Sequence, residues 1–117
     1  MIVALDFDGV IHSYKSKWIA EHVIPDPPVD GALGFIKSLI ENRIKVVIFS
    51  MRCKTLLCVK AMLSWLLTYG LPSKYVELID FSFVKPHAEL YIDDRGFQFS
   101  GNFPTIKYIK EFKPWNK

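Results

Sequence analysis

An apolar run, Ile2-Val3-Ala4-Leu5, leads straight into Asp6-Phe7-Asp8-Gly9. Side chains repeat every second residue along a strand, so both carboxylates are expected on one side of the strand end. Two acids crowded at a strand tip repel each other unless a cation joins them, and carboxylate oxygens suit a hard divalent ion such as Mg²⁺. One of the carboxylates would then be free to act as a nucleophile. For this segment alone the alternative is a strand that ends in an acidic turn, because Asp-Gly is ordinary turn punctuation.

Acidic, hydroxyl and basic residues recur at the ends of the other apolar runs. Ile44-Lys45-Val46-Val47-Ile48-Phe49 ends in Ser50-Met51-Arg52; Lys85-Pro86 precedes Ala88-Glu89-Leu90-Tyr91-Ile92, which ends in Asp93-Asp94-Arg95-Gly96. In an open parallel α/β sheet the ligand sits outside the carboxyl ends of the strands, so these groups are expected to converge on one crevice. Taken singly they say little: Ser50 after a strand reads as a helix cap, and Lys85 as surface charge.

The order Asp-x-Asp-Gly, Ser, Lys, Asp-Asp resembles the four motifs of the haloacid dehalogenase superfamily of phosphatases and phosphotransferases, over residues 1–96. Phe49-Ser50-Met51-Arg52, with Lys85-Pro86 and Tyr91-Ile92-Asp93-Asp94-Arg95, looks like small capless members found in phages and bacteria. It is also loosely similar to polynucleotide 3′-phosphatase domains. The resemblance implies a Rossmann-like three-layer α/β sandwich with a mainly parallel sheet. It implies a Mg²⁺-dependent phosphohydrolase in which Asp6 attacks phosphorus, while Asp8 protonates the leaving oxygen and then deprotonates water. Ser50 and Lys85 would bind the phosphoryl group, with backbone N–H groups after Asp6, around Gly9, completing the cradle. Asp6, Asp8 through its backbone carbonyl, and the Asp93-Asp94 pair would hold the metal, Asp94 directly and Asp93 from behind. The acid at Asp8 suits phosphomonoester hydrolysis or transfer, since dehalogenase members need only the nucleophile and related ion-pumping ATPases carry Thr there.

Several residues admit two readings. Arg52 could grip a second phosphate or the far end of the substrate, or be a surface residue at a helix start. His12 could meet a leaving group or be a hydrogen-bonded residue of the segment after the first motif. Arg95 is expected to brace the acidic loop. Lys15, Lys17 and Trp18, with Lys107, Lys110, Lys113, Trp115 and Lys117 in the tail, could contact a nucleic acid, as partner or as phosphorylated end. The net charge of +3 does not demand one. Two rivals to an enzyme are a receiver-like phosphoacceptor domain and a non-catalytic binding domain on the same fold. The receiver chain order, with an acidic pair first and Lys last, does not match.

These groups must be positioned by a small scaffold. The 117 residues, half of them hydrophobic, suit one domain spanning the chain. Strands are expected at residues 2–7, 44–49, 75–80 and 89–93. Residues 10–29 form an irregular flap with Pro25, Pro27 and Pro28 as breakers, too short for a cap domain. Asp30 should cap a helix running to Glu41, and a second helix should cover 54–69, stopped by Gly70 and Pro72. That second helix is apolar around most of its circumference, which implies either a homodimer contact or burial under the tail. Tyr108 and Phe112 should pack across the sheet from a short final helix. The segment 80–89 is short for a parallel crossover, which leaves the strand order open. Cys53 and Cys58, five apart in one helical pattern, are read as reduced thiols. No apolar run is long enough for a bilayer and no charged n-region precedes the first strand, so the expectation is a cytoplasmic protein without a membrane partner.

Overall fold

The computed structural model describes residues 1–116; Lys117, grouped above with the tail lysines, lies outside the described residues. Four strands, β1 (Ile2–Asp6), β2 (Lys45–Phe49), β3 (Asp80–Ser82) and β4 (Leu90–Ile92), form one all-parallel sheet in the order β3-β2-β1-β4. Val3 pairs with Val46 and with Leu90, and Leu5 with Ile48 and with Ile92. The inner strands β1 and β2 are continuous apolar runs, as strands buried on both faces require.

Val3, Leu5, Val46 and Ile48 point to one face by alternation and join a single core with Ile36 of α1 (Ala32–Glu41) and Met62 and Leu66 of α2 (Leu56–Thr68). Each such side chain contributes roughly 1.5–3 kcal/mol by leaving water. α1 does not use Asp30 as its cap: Gly31 holds that position in the left-handed region, and no side chain bonds the first turn. At the other end Arg43 takes the left-handed position (φ 62°) that glycine usually fills. Thr55, behind a 3₁₀ turn at Met51–Lys54, caps α2 through the Cys58 N–H. Gly70 closes α2 as expected, with its N–H on the Leu67 carbonyl and that of Leu71 on the Leu66 carbonyl.

The third strand is displaced from its expected place. Tyr75 belongs to a short helix, α3 (Ser73–Val76), where it and Val76 are buried against the core, and the strand begins only at Asp80. Pro72 opens that helix, and the β-rich composition of Tyr75-Val76 yields to packing. β3 and β4 lie at opposite edges, so residues 83–89 cross the sheet without a helix. Seven extended residues reach about 24 Å, enough for three strand spacings of about 4.8 Å.

The sheet face traversed by that link is thinly covered. Ala4, Phe49, Lys85, Tyr91 and Phe97 line a cavity of about 660 Å³ there. The short helix α4 (Ile106–Glu111) contributes nothing to it and has no buried residue. The helical layer expected on this face is therefore replaced largely by extended chain. Tyr108 and Phe112 stay substantially exposed, Tyr108 meeting Phe97 edge-on at 5.5 Å. No helix among the described residues is long and apolar enough to cross a membrane.

The second side of α2 is covered by the flap, not by the tail. Trp65 donates its Nε1–H to the Asp26 carbonyl at 2.9 Å and packs against Phe7 and His12, while Leu56 and Leu57 remain exposed. Asp26 also ties the flap to itself: Oδ2 accepts from the Ser16 N–H at 2.7 Å and Oδ1 from the Ser16 hydroxyl at 2.6 Å. Burial alone would raise the Asp26 pKa, but those bonds and the nearby His12 and Lys15 outweigh it and hold the carboxyl below its ordinary 3.8. A carboxyl with a lowered folded pKa stabilises fully above its unfolded value and loses that contribution as pH falls through the folded one. Asp26→Asn is therefore expected to lower the melting temperature at neutral pH. The gap from wild type should close as the medium is acidified below the carboxylate range, which thermal unfolding across pH measures.

Candidate active site at the strand ends

β1 stops at Asp6, and the chain then folds into a tight turn. The Asp6 Oδ1 accepts the Phe7 N–H at 2.9 Å, which sets the plane of the carboxyl. The Phe7 carbonyl accepts from the N–H groups of Val10, Ile11 and His12, and the Gly9 N–H donates to the His12 carbonyl at 2.8 Å. The expected phosphate cradle is thus corrected at Gly9, whose N–H is engaged within the turn. The Asp8 N–H has no acceptor among the described residues. Gly9 serves differently: it sits at φ +88°, and a Cβ there would fall on the Asp94 carboxyl. Its missing side chain is what lets Asp94 approach β1.

Asp6, Asp93 and Asp94 bring carboxylate oxygens within 4.8 Å of one another. The Asp6 pKa is pushed up to about 8, by burial above all, then by the Asp93 charge and by the hydrogen bond and charge of Asp94; the Phe7 N–H pulls the other way. Asp94 is the deep member, its side chain 4% exposed, with Oδ1 buried and unpartnered and Oδ2 4.0 Å from Arg95 Nε. Asp93 is exposed and uses Oδ1 to accept the Arg95 N–H at 2.7 Å. Three converging carboxylates, one with an orphaned buried oxygen, fit a hard divalent cation such as Mg²⁺. Asp8 is expected to meet the metal through its backbone carbonyl; its carboxylate does not join the three acids. The strand ends before it, so alternation no longer governs its direction, and its carboxylate turns to other partners.

Those partners are His12 and Arg52. Asp8 Oδ1 meets His12 Nδ1 at 2.8 Å, and Arg52 Nε lies 2.9 Å from Oδ2 and 3.2 Å from Oδ1. His12 Nε2 accepts the Asp26 N–H at 3.1 Å, which assigns the Nδ1 hydrogen to the bond with Asp8. Arg52 is 0% exposed. One of its terminal nitrogens donates to the carbonyls of Ala20, Glu21 and Val23 at 2.7–3.0 Å, and its guanidinium lies 4.6 Å from the Trp18 ring centroid. Neither expected reading of Arg52 survives: it is neither on the surface nor open to substrate, but pins the flap to Asp8. His12 is a buried flap residue rather than a leaving-group contact.

Ser50 caps the 3₁₀ turn by accepting the Arg52 N–H at 3.1 Å, which leaves its hydroxyl hydrogen for an incoming oxygen. It lines a cavity of about 300 Å³ with Asp6, Asp8 and Asp94. Lys85 lines the 660 Å³ cavity with Asp6 and Asp93; it is exposed, with Nζ 4.7 Å from the Tyr91 ring centroid, and makes no ion pair among the described residues. Ser50 and Lys85 therefore approach Asp6 from two cavities that share it. Cys53 and Cys58 are free thiols, and burial pushes the Cys53 thiol up, as an inert structural residue requires.

Tyr14 and Met51 carried no expected role, and Trp115 was expected only among the tail residues that could contact a nucleic acid. Tyr14 and Met51 line the smaller cavity, and Trp115 donates Nε1–H to the Gly9 carbonyl at 2.8 Å from the far end of the chain. Asp26 carried no expected role either, although an acid held between two prolines was a usable signal. Nothing local marks Trp115 as a partner of the Gly9 carbonyl. No protein-family model and no curated protein matches this chain.

Arg52→Ala is expected to cost about 3–5 kcal/mol in denaturant unfolding, because it leaves Asp8 and three flap carbonyls without their donor. Arg52→Lys should recover little of this, since one ammonium lacks the fork that reaches both. Gly9→Ala should displace Asp94, so that a divalent cation titrated onto the three acids in calorimetry binds about tenfold or more weaker than to the wild type, through lost ligand geometry.

Proposed function

We propose that this chain is a Mg²⁺-dependent phosphohydrolase that cleaves a phosphomonoester through an aspartyl phosphate, as a capless member of the haloacid dehalogenase superfamily. The observation that carries the reading is the convergence of Asp6, Asp93 and the buried, unpartnered Asp94 oxygen at the carboxyl ends of β1 and β4. A cation held by these acids would offset repulsion between an anionic nucleophile and an anionic ester.

An Asp6 oxygen attacks phosphorus while the bond from phosphorus to the leaving oxygen breaks, and Asp8, in its protonated form, gives that oxygen its proton. Water then attacks the acyl phosphate, Asp8 takes its proton, and cleavage of the phosphorus–oxygen bond to Asp6 frees phosphate. Ser50 donates its hydroxyl hydrogen, and Asp8 its N–H, to phosphoryl oxygens; Lys85 neutralises charge from the other side. Arg52 and His12 hold the Asp8 carboxylate beside Asp6. A proton-transfer group fixed so firmly favours turnover over a receiver-like domain that keeps its phosphoryl group. A cytoplasmic location belongs to the same proposal and agrees with the two free thiols.

Phosphate release from a panel of monoesters, with Mg²⁺ and with EDTA, tests the reading. Activity should need the metal and fall by more than about a thousandfold in Asp6→Asn, which is nearly isosteric and should leave the far-UV spectrum unchanged. Undiminished turnover in that variant would sink the assignment of Asp6.

A further inference from the structure

We propose that the smaller cavity is a leaving-group subsite for a planar aromatic group, with the Trp18 indole as its stacking platform. The inference rests on the phosphohydrolase reading and adds a substrate class to it. In phosphoryl transfer the attacking and leaving oxygens lie roughly in line through phosphorus. With Asp6 attacking and Asp8 donating the proton, the departing alcohol emerges on the Asp8 side, because the donor must reach its oxygen.

The cavity on that side measures about 300 Å³, and beyond Asp6, Asp8, Ser50 and Asp94 its lining side chains are Tyr14, Trp18, Met51 and Arg95. Its size lies at the lower end for small-molecule pockets, enough for one ring-bearing group. One side of the Trp18 ring is occupied by the buried Arg52 guanidinium, which holds the indole by a cation–π contact. The residue nonetheless stays 46% exposed and borders the cavity, so a ring surface remains to be covered. Met51, 74% exposed across the same cavity, offers a flexible thioether that packs well on aromatic rings. Arg95 adds a planar cation at the rim, its side chain 62% exposed. An aliphatic leaving group would gain little from these surfaces.

The test compares benzyl phosphate with butyl phosphate, whose leaving alcohols are of similar acidity, in wild type, Trp18→Ala, Trp18→Phe and Met51→Ala. The readout is the ratio of kcat/KM for the two esters, so that any disturbance passed to Asp8 through Arg52 cancels. Wild type should prefer the benzyl ester. Trp18→Ala should cut that preference by about fivefold to a hundredfold, the range for loss of one stacking partner, and Trp18→Phe should restore most of it. Met51→Ala, an exposed position, keeps the test alive if Trp18→Ala fails to fold, and should cut the preference by a smaller factor. In parallel, calorimetric binding of both esters with Mg²⁺ is measured on Asp6→Asn and on Asp6→Asn with Trp18→Ala. Tighter binding of the benzyl ester, lost with Trp18, supports the subsite even if wild type releases no phosphate, an outcome that would overturn the phosphohydrolase reading alone. Equal handling of the two esters, in turnover or in binding, overturns the subsite.

Discussion

A fully buried guanidinium organises this molecule. Arg52 carries its charge out of water, which costs several kcal/mol unless every donor is met and a counter-charge is near. Asp8 supplies the charge, and the carbonyls of Ala20, Glu21 and Val23 supply acceptors from the flap. The irregular chain between β1 and α1 has almost no ladder of its own beyond isolated bridges. It is therefore held by what it wraps: Arg52 at one point, the Asp26 carboxylate at another, and Trp65 of α2 beneath. The same contacts decide where Asp8 and Trp18 stand, so flap architecture and site geometry are one arrangement. One nitrogen of that guanidinium remains buried without a partner, which marks the fit as imperfect.

The cluster of Asp6, Asp93 and Asp94 follows the opposite logic. Nothing in the chain compensates their mutual repulsion fully, and burial raises the Asp6 pKa further. A protein evolved for stability alone would dilute such a cluster, whereas a ligand-binding site keeps unsatisfied groups because the ligand completes them. Gly9 is the steric condition for this crowding, since any side chain would occupy the space of the Asp94 carboxyl. Two acids, Asp8 and Asp94, thus flank Asp6 in different states, one saturated with donors and one with an orphaned oxygen. That contrast fixes the position of the Asp8 carboxylate and leaves Asp94 open to a cation.

The sheet order explains how so short a chain builds a crevice at all. β1 lies between β2 and β4, so the segments that leave their carboxyl ends face each other across the Asp6 turn. Bringing β4 to the far edge uses an extended link rather than a helix. The link delivers Lys85 to the rim and leaves the face below it hollow. The tail reaches the turn and the flap through Trp115 on the Gly9 carbonyl and Asn116 on the Ser13 carbonyl, and otherwise leaves its aromatic residues in contact with water.

Much of this was legible in the sequence by itself. Apolar runs ending in Asp6, Ser50 and Asp93-Asp94 determined a parallel α/β sheet with its chemistry at the carboxyl ends, because burial on both faces and turn chemistry are local properties. The stop at Gly70 was equally local. The displaced third strand, the Gly31 cap in place of Asp30 and the missing helical layer were decided by packing, which overrides propensity. The role of each acid and of Arg52 was also decided in three dimensions. Spacing says that Asp8 follows Asp6 by two, but not that the strand ends between them. Nor does it say that an arginine 44 positions later will meet the Asp8 carboxylate. Long-range pairing of buried charge depends on which surfaces close over it, and only the folded chain determines that.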